Sequence, residues 1–414
     1  MAVGAESHNS FLELMERKNL KLIIFILATL AAIAPFSIDM YLPAFPAMAQ
    51  DLGTDIAHVA LSLTSFFIGI SVGQLLYGPL LDRIGRKKPL LFGLVLYTMA
   101  SIGCAFAVNG RWLIALRLLQ ALGGCGGMVA VRAIVRDLFP IKEIARIIST
   151  IMLVMGIAPI IAPTVGSAVV TTLGWRAIFH VLAAFGAVLI VAVVFALPES
   201  KQPDPSISMR PTKILGEYFS VLKQPQFLAY ALCGGLGSAG MFAYISGSPF
   251  VYIKLFGISE AHYGWWFGLN AFGLIFGSQL NRIVLRHFTS QQAISVIASL
   301  QASVGVLLIV SLTFGRFQII GTMVLISAYL FLQGFLYPNT TALALIPFEK
   351  NAGAASAMMG FLQMVCSSLA SALVSYLHNG TALPMTGVMA GCAGLGLLSL
   401  LTILRKREAA LTYE

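Results

Sequence analysis

The chain has 414 residues, of which 58% are hydrophobic and only 10% are charged. Soluble domains are roughly half apolar and about a quarter charged, so the composition excludes an ordinary soluble enzyme. The formal net charge of +10 is compatible with a nucleic-acid partner only if the basic residues are not explained by another pattern.

Apolar stretches long enough to cross a hydrocarbon core, about 20 residues each, recur from Leu20 almost to the C-terminus. They predict twelve transmembrane helices, at 20–45, 58–80, 89–109, 112–133, 143–170, 174–197, 226–250, 262–281, 289–313, 317–340, 352–376 and 383–404. Most loops are too short to fold separately, so we expect the function to lie between the helices. The five cysteines are scattered within apolar segments and indicate neither a disulfide framework nor a metal site.

Basic residues are concentrated on one side of the predicted membrane. With the N-terminus inside, most of the 26 Lys and Arg residues flank cytoplasmic helix ends, Arg210 and Lys350 among them. The opposite side has only Arg111, Arg176, Lys254 and Arg316. The positive-inside rule then predicts that both termini are cytoplasmic. The charge therefore reflects topology in a bilayer, and we expect no nucleic-acid partner.

A polar, proline-rich stretch divides the spans six and six. It predicts an N-terminal six-helix bundle at 1–197, a cytoplasmic linker at 198–225 and a C-terminal bundle at 226–414. A faint repeat supports duplication, since Gly78-Pro-Leu-Leu-Asp-Arg-Ile aligns with Gly277-Ser-Gln-Leu-Asn-Arg-Ile, and Leu119-Gln120 with Leu332-Gln333. In transporters built from such repeats, the substrate binds near the membrane midplane between the halves.

Helix 1 contains Asp39, the one carboxylate that we place inside the membrane. An apolar environment disfavours the charged form of a carboxylate, so Asp39 is the leading candidate for a proton carrier. We expect it to take up a proton from the periplasm and to lose it when a substrate or Arg117 competes for its charge. The alternative is a helix-end residue that faces the periplasm.

The loop after helix 2 reads Gly78-Pro-Leu-Leu-Asp82-Arg83-Ile-Gly85-Arg86-Lys-Lys. It resembles the signature loop of the major facilitator superfamily, G-x-L-x-D-R-x-G-R-K. Gly78 permits close helix approach, Gly85 permits a tight turn, and Asp82 can pair with a basic side chain. The resemblance implies that Gly78, Asp82, Arg83, Gly85 and Arg86 form a cytoplasmic latch that holds the outward-facing state. The alternative is a basic loop that only sets topology.

Arg117 in helix 4 lies in Arg117-Leu-Leu-Gln120-Ala, which resembles the second motif of the same superfamily, R-x-x-Q-G. An arginine deep in a span costs about 2.5–3.5 kcal/mol on insertion scales, so it needs a polar lining or a partner. The alternative is a side chain that extends to the periplasmic surface.

Helix 5 contains Gly156, Pro159, Pro163 and Gly166. Their spacing is similar to the antiporter motif G-x-x-x-G-P-x-x-G, with Ala158 and Ala162 at two glycine positions. The prolines predict a kink, and the small residues permit close packing. The resemblance implies antiport; the alternative is an ordinary kinked helix.

Two further segments, 37–46 in helix 1 and 240–252 in helix 7, resemble the bicyclomycin/chloramphenicol-resistance (Bcr/CflA) group of drug:proton antiporters. Residue types that are unusual for lipid contact, or flexible methionines, predict the substrate-binding residues: Tyr41, Gln120, Met128, Tyr244, Tyr252, Asn270, Tyr337, Asn339, Met358 and Gln363. Each could instead serve as packing between helices.

The fold class predicted is therefore an all-α membrane protein with the major facilitator fold. The function predicted is proton-coupled multidrug efflux across the bacterial inner membrane by alternating access. A monomer is expected to use the proton gradient and no cofactor. The main alternative is an exporter of an endogenous metabolite, such as an amino acid or nucleobase, on the same fold. A membrane receptor and an integral-membrane enzyme are weaker alternatives.

Overall fold

The computed structural model describes residues 2–206, 211–313, 319–348 and 352–412, and these ranges are helical, without a β-strand. The α-helices are α1 (Ala2–Asp39), α2 (Phe45–Asp51), α3 (Ile56–Ile84), α4 (Lys87–Ala105), α5 (Gly110–Leu138), α6 (Ile141–Leu173), α7 (Trp175–Ala196), α8 (Pro211–Leu222), α9 (Pro225–Pro249), α10 (Glu260–Val284), α11 (Ser290–Thr313), α12 (Ile319–Leu345), α13 (Ala352–Tyr376) and α14 (Leu383–Thr412). A 3-10 turn, Leu42–Ala44, precedes α2, and a π-helical segment, Phe250–Leu255, extends α9. The loop residues Arg210, Arg316 and Lys350 lie outside the described residues.

The distribution of polarity is the reverse of that in a soluble protein. Phe92 is 68% exposed and Phe195 84% exposed, whereas many serines, asparagines and glutamines are buried. Within the described ranges, eleven helices are long and apolar enough to cross a membrane. Helix α10 has 25 residues but falls outside that set; it buries Asn270 and Asn281 and exposes apolar side chains on its other face. Such a surface requires lipid as its solvent.

The predicted spans overlap the observed helices and differ from them mainly at the ends. The first span was expected to continue to residue 45, but α1 ends at Asp39. Pro43 cannot donate a backbone hydrogen bond, and the chain turns there through a 3-10 segment before α2 begins. Helices α3 and α5 continue to Ile84 and Leu138, about one turn beyond the predicted ends.

Within the described residues, two helix pairs make the most extensive contacts between the first half of the chain and the second. In the α3–α13 seam, the Oγ1 atom of Thr64 and the Oγ atom of Ser371 lie 2.8 Å apart. Further along, the side-chain amide of Gln74 fills the space that a side chain at position 360 would occupy, because that residue is glycine. In the α6–α10 seam, a Cβ atom at Gly264 would lie 2.7 Å from the Cα atom of Thr164, so only glycine permits this approach.

The repeated glutamines occupy similar environments in the two halves. Gln120 of α5 donates a hydrogen bond to Ser101 of α4 (2.7 Å). In the second half, the side-chain amides of Gln333 of α12 and Gln301 of α11 meet at 3.0 Å. The sequence match therefore extends to a polar contact between the corresponding helices.

Candidate functional site

Arg117 is fully buried within the first half of the chain. Its Nη1 atom donates to Gln120 Oε1 (2.6 Å), and its Nη2 atom donates to the backbone carbonyl of Ser37 (2.9 Å). The guanidinium carbon lies 4.2 Å from the ring centroids of both Tyr41 and Phe66. Hydrogen bonds and aromatic faces thus hold the charge inside, since both stabilise a guanidinium. The side chain does not extend to the surface.

Asp39 is the only buried carboxylate among the residues whose side chains the structure describes. It is the last residue of α1, and its Oδ1 atom has no hydrogen-bond partner. Asp39 is not among the acidic partners of the ion pairs found in the described ranges. Arg117, which was expected to compete for its charge, is instead bonded to Gln120 and Ser37.

The turn after Asp39 lies where α1, α6 and α10 meet. The carbonyl group of Met40 occupies the space where a Cβ atom of Gly166 in α6 would lie. The 3-10 turn Leu42–Ala44 also contacts α10. Ser167 is buried, and its Oγ atom has no hydrogen-bond partner. Two buried polar atoms without partners, Asp39 Oδ1 and Ser167 Oγ, are therefore found on helices that pack against each other at this junction.

The segment of α6 that resembles the antiporter motif, residues 156–166, is packed differently at its two ends. Helix α6 is continuous through Pro159 and Pro163. At one end, Gly166 admits the backbone of Met40, and no other residue type could do so without a shift. At the other end, a Cβ atom at Gly156 would make only an ordinary contact with Ile275 (3.7 Å). The close-packing requirement is therefore concentrated at Gly166.

A second polar cluster lies in the other half of the chain, centred on Asn270 of α10. Its Nδ2 atom donates to the hydroxyl oxygens of Tyr244 and Tyr252, both at 2.9 Å. The Tyr244 ring stacks on Phe267 with centroids 5.7 Å apart. Tyr263 continues this face, since its hydroxyl lies 2.7 Å from Ser248 Oγ.

Tyr263 and Phe267 were absent from the predicted site. Both are buried, and with Asn270 they occupy positions i, i+4 and i+7 of α10. That spacing places them on one helix face, so the pattern was available in the sequence. It was overlooked because aromatic residues in an apolar span resemble ordinary core.

The other predicted substrate-binding residues lie in separate environments. Asn339 donates to Asn281 Oδ1 (2.7 Å), and Gln363 donates to Ser238 Oγ (3.1 Å). Met358 packs in an apolar cluster, Met128 is partly buried, and Tyr337 is 43% exposed. The structure does not bring these side chains into one contact cluster, and their role in binding stays a prediction.

The predicted latch is a network of charges. Arg86 pairs with Asp82 and with Asp137, each at 2.7 Å, and Lys201 pairs with Asp82 at 3.0 Å. Burial alone would lower the pKa of Arg86, but hydrogen bonds and charge from Asp137 and Asp82 outweigh it and raise that pKa. These partners all belong to α3, α5 and the start of the linker. The latch therefore holds elements of the first half and the linker together here.

The start of the linker also closes the turn between α3 and α4. Gly85 has a φ of +96°, a conformation that favours glycine. Glu199 accepts hydrogen bonds from the backbone nitrogens of Arg86 (2.7 Å) and Lys87 (3.1 Å) at the start of α4. A carboxylate at a helix N-terminus is favourable because the unpaired N–H groups and the helix dipole point at it. Gly78 lies near the Tyr218 hydroxyl of α8.

Comparison with known proteins identifies the family of the chain. The model of the Major Facilitator Superfamily matches residues 27–375. The chain is 36% identical to the "Uncharacterized MFS-type transporter YdgK" of Bacillus subtilis over 92% of this chain and 95% of that one. It is 28% identical to the "Bicyclomycin resistance protein homolog" of Haemophilus influenzae, covering 93% and 96%. It is 29% identical to the "Chloramphenicol resistance protein" of Pseudomonas aeruginosa, covering 90% and 89%.

Solved structures share the fold at low sequence identity. The nucleoside transporter NupG superposes with a TM-score of 0.73 at 16% identity, covering 93% of this chain and 99% of that one. A D-xylose-proton symporter superposes with a TM-score of 0.71 at 14% identity, covering 93% and 97%. The chain belongs to the Major Facilitator Superfamily and is a multi-pass transporter of the bacterial inner membrane.

Proposed function

We propose that the chain is a proton-coupled multidrug efflux antiporter that exports small amphipathic compounds by alternating access. The proposal includes twelve membrane spans, with α10 as the span of lowest hydropathy, and both termini in the cytoplasm. The excess of basic residues at one set of helix ends supports that orientation. Relatives named for bicyclomycin, chloramphenicol and multidrug resistance support the substrate class.

The observation that carries the proposal is the environment of Asp39. Burying an ionised carboxylate without a partner costs several kcal/mol, whereas a neutral carboxyl group is far easier to bury. The packed junction of α1, α6 and α10 around Asp39 therefore suits the protonated form. Loss of the proton favours separation of these helices, because the charge then gains contact with water. A proton would thus close the junction, and its release would open it.

The contacts of Arg117 suggest a different role for it from the one that the sequence predicts. Its hydrogen bonds and the rings around it keep it within the first half, away from ion pairing with Asp39. We therefore assign Arg117 to the rigidity of the first half, and we assign proton coupling to Asp39 alone. The aromatic cluster around Asn270 supplies rings and a few polar atoms, a combination that suits amphipathic ligands of varied shape.

Transport by purified protein in proteoliposomes with an imposed pH gradient tests the proposal. Asp39→Asn should abolish uphill transport of chloramphenicol or bicyclomycin, because the neutral side chain neither binds nor releases a proton and, like the protonated carboxyl group, favours the closed junction. The matched control is Glu217→Gln, which removes an exposed carboxylate on α8. Uphill transport by the Asp39 variant would refute the coupling role. Movement of an amino acid or nucleobase, with no drug transported by the unmodified protein, would establish the metabolite exporter instead.

A further inference from the structure

The linker between the two halves contains a helix that its polar, proline-rich sequence does not predict. Helix α8 has 12 residues and lies immediately before α9. One face is built into the protein: Tyr218 and Val221 are buried, and α8 packs against α9 and α13. The Tyr218 hydroxyl donates to the backbone carbonyl of Leu75 in α3 (3.1 Å). The helix is thus docked across the end of the α3–α13 seam.

A second face of α8 is apolar and has no partner within the described residues. Leu215 is 61% exposed and Phe219 is 62% exposed, one helical turn apart. Lys223 adds a positive charge at the same face, since its Nζ atom lies 5.6 Å from the Phe219 ring centroid. Glu217 and Ser220 are also exposed and lie on the remaining, polar side.

Two observations identify what covers the apolar face. Leu76, which follows the residue that accepts the Tyr218 hydrogen bond, is 57% exposed and belongs to the apolar surface of a membrane helix. Because the Tyr218 hydroxyl bonds to Leu75, α8 is held close to this exposed apolar surface of α3. Lys223 complements anionic headgroups, and basic residues with large apolar neighbours are typical of helices in the membrane interface. Two exposed side chains are too small an area for a stable protein partner, which needs roughly 800 Å² per side.

We propose that α8 lies in the headgroup region of the bilayer, with Leu215 and Phe219 among the upper acyl carbons and Lys223 at the lipid phosphates. The partner is therefore the lipid surface itself. Because Tyr218 holds the neighbouring face of the helix against α3, α8 contacts both the protein and the bilayer. The linker is then a fixed element beside the seam and not a free tether between the halves.

Site-directed spin labelling in liposomes of phosphatidylethanolamine and phosphatidylglycerol tests this placement. Single cysteines replace Leu215 or Phe219, and Glu217→Cys and Ser220→Cys are the matched polar-face controls. Cys366, which is only partly buried, is replaced by serine. Labels at 215 and 219 should be severalfold more accessible to oxygen than to a water-soluble nickel complex, with the opposite ratio at 217 and 220.

Two results would overturn the placement. Equal access of the nickel complex to all four labels would mean that the helix is in water. Labels at 215 and 219 shielded from both reagents, with dipolar broadening between chains, would mean that a second copy covers the face. The thermal stability of each variant is measured first. Only variants that are as stable as the unmodified protein are used for the accessibility measurement, so a folding defect is recognised separately. If the variant at 215 or at 219 is unstable, the label at the other of these two positions decides, and a Lys223→Cys label should lie at an intermediate depth, at the phosphates.

Discussion

Alanine at position 166 would place a methyl group where the carbonyl of Met40 already lies. Overpacking of a filled interior costs about 1–3 kcal/mol, and the upper value applies because backbone cannot move aside as a flexible side chain does. Alanine regains about 1 kcal/mol of helix propensity relative to glycine. The net expectation for Gly166→Ala is therefore a loss of about 2 kcal/mol of stability.

Gly156→Ala is the matched control, since the same change in the same helix meets only Ile275 at 3.7 Å. It should be neutral or slightly stabilising. Unfolding of detergent-solubilised protein can be followed with a thiol-reactive dye, because four of the five cysteines are buried. The midpoint should fall by several degrees for Gly166→Ala and not for Gly156→Ala. Equal midpoints for the two variants would show that α1 and α6 are not in the contact described.

Three further changes test the charged groups. Arg117→Lys should lose about 1.5–3 kcal/mol of stability, because lysine cannot keep both hydrogen bonds and both ring contacts; an unchanged melting midpoint would contradict the packing described. Glu199→Gln should cost about 0.3–1 kcal/mol through the weaker charge at the start of α4, and added salt should shrink that difference. Arg86→Met should destabilise the protein far more than Lys201→Met, since Arg86 joins two carboxylates and is nearly buried, whereas Lys201 reaches Asp82 at a partly exposed site. Comparable melting curves for Arg86→Met and Lys201→Met would show that Arg86 is not the central charge of the latch.

Features that depend on residue type and on helical spacing within one segment could be predicted from the sequence. The scarcity of acids in apolar runs singled out Asp39, and the structure buries it. Arg117 and Gln120 are three residues apart, a spacing that places them on one helix face. The rings around Arg117 could not be foreseen in the same way, because Phe66 comes from a helix about fifty residues earlier, and single-sequence patterns carry no information on such pairs. The bond from Arg117 to the backbone carbonyl of Ser37 could not be foreseen for the same reason, because it also joins residues that are far apart in the chain.

Helix α8 was missed for a different reason. The helix has only 12 residues, and they lie in a polar, proline-rich linker. The mean hydropathy of a window that includes the linker is therefore low, although the helix has apolar residues. The substrate-binding residues were selected by type alone, and type does not determine which helix face is turned inward. Asn339 and Gln363 therefore lie in different local contacts despite their similar chemistry.

The amide of Gln74, seated in the gap left by Gly360, limits how the α3–α13 seam can move. A translation of one helix along the other would drive the amide into the next side chain of α13. A rotation about the point of contact leaves the amide in its notch while the helix ends separate. The seam is therefore suited to act as a pivot, and the larger displacements of a transport cycle belong to the helix ends on either side of it.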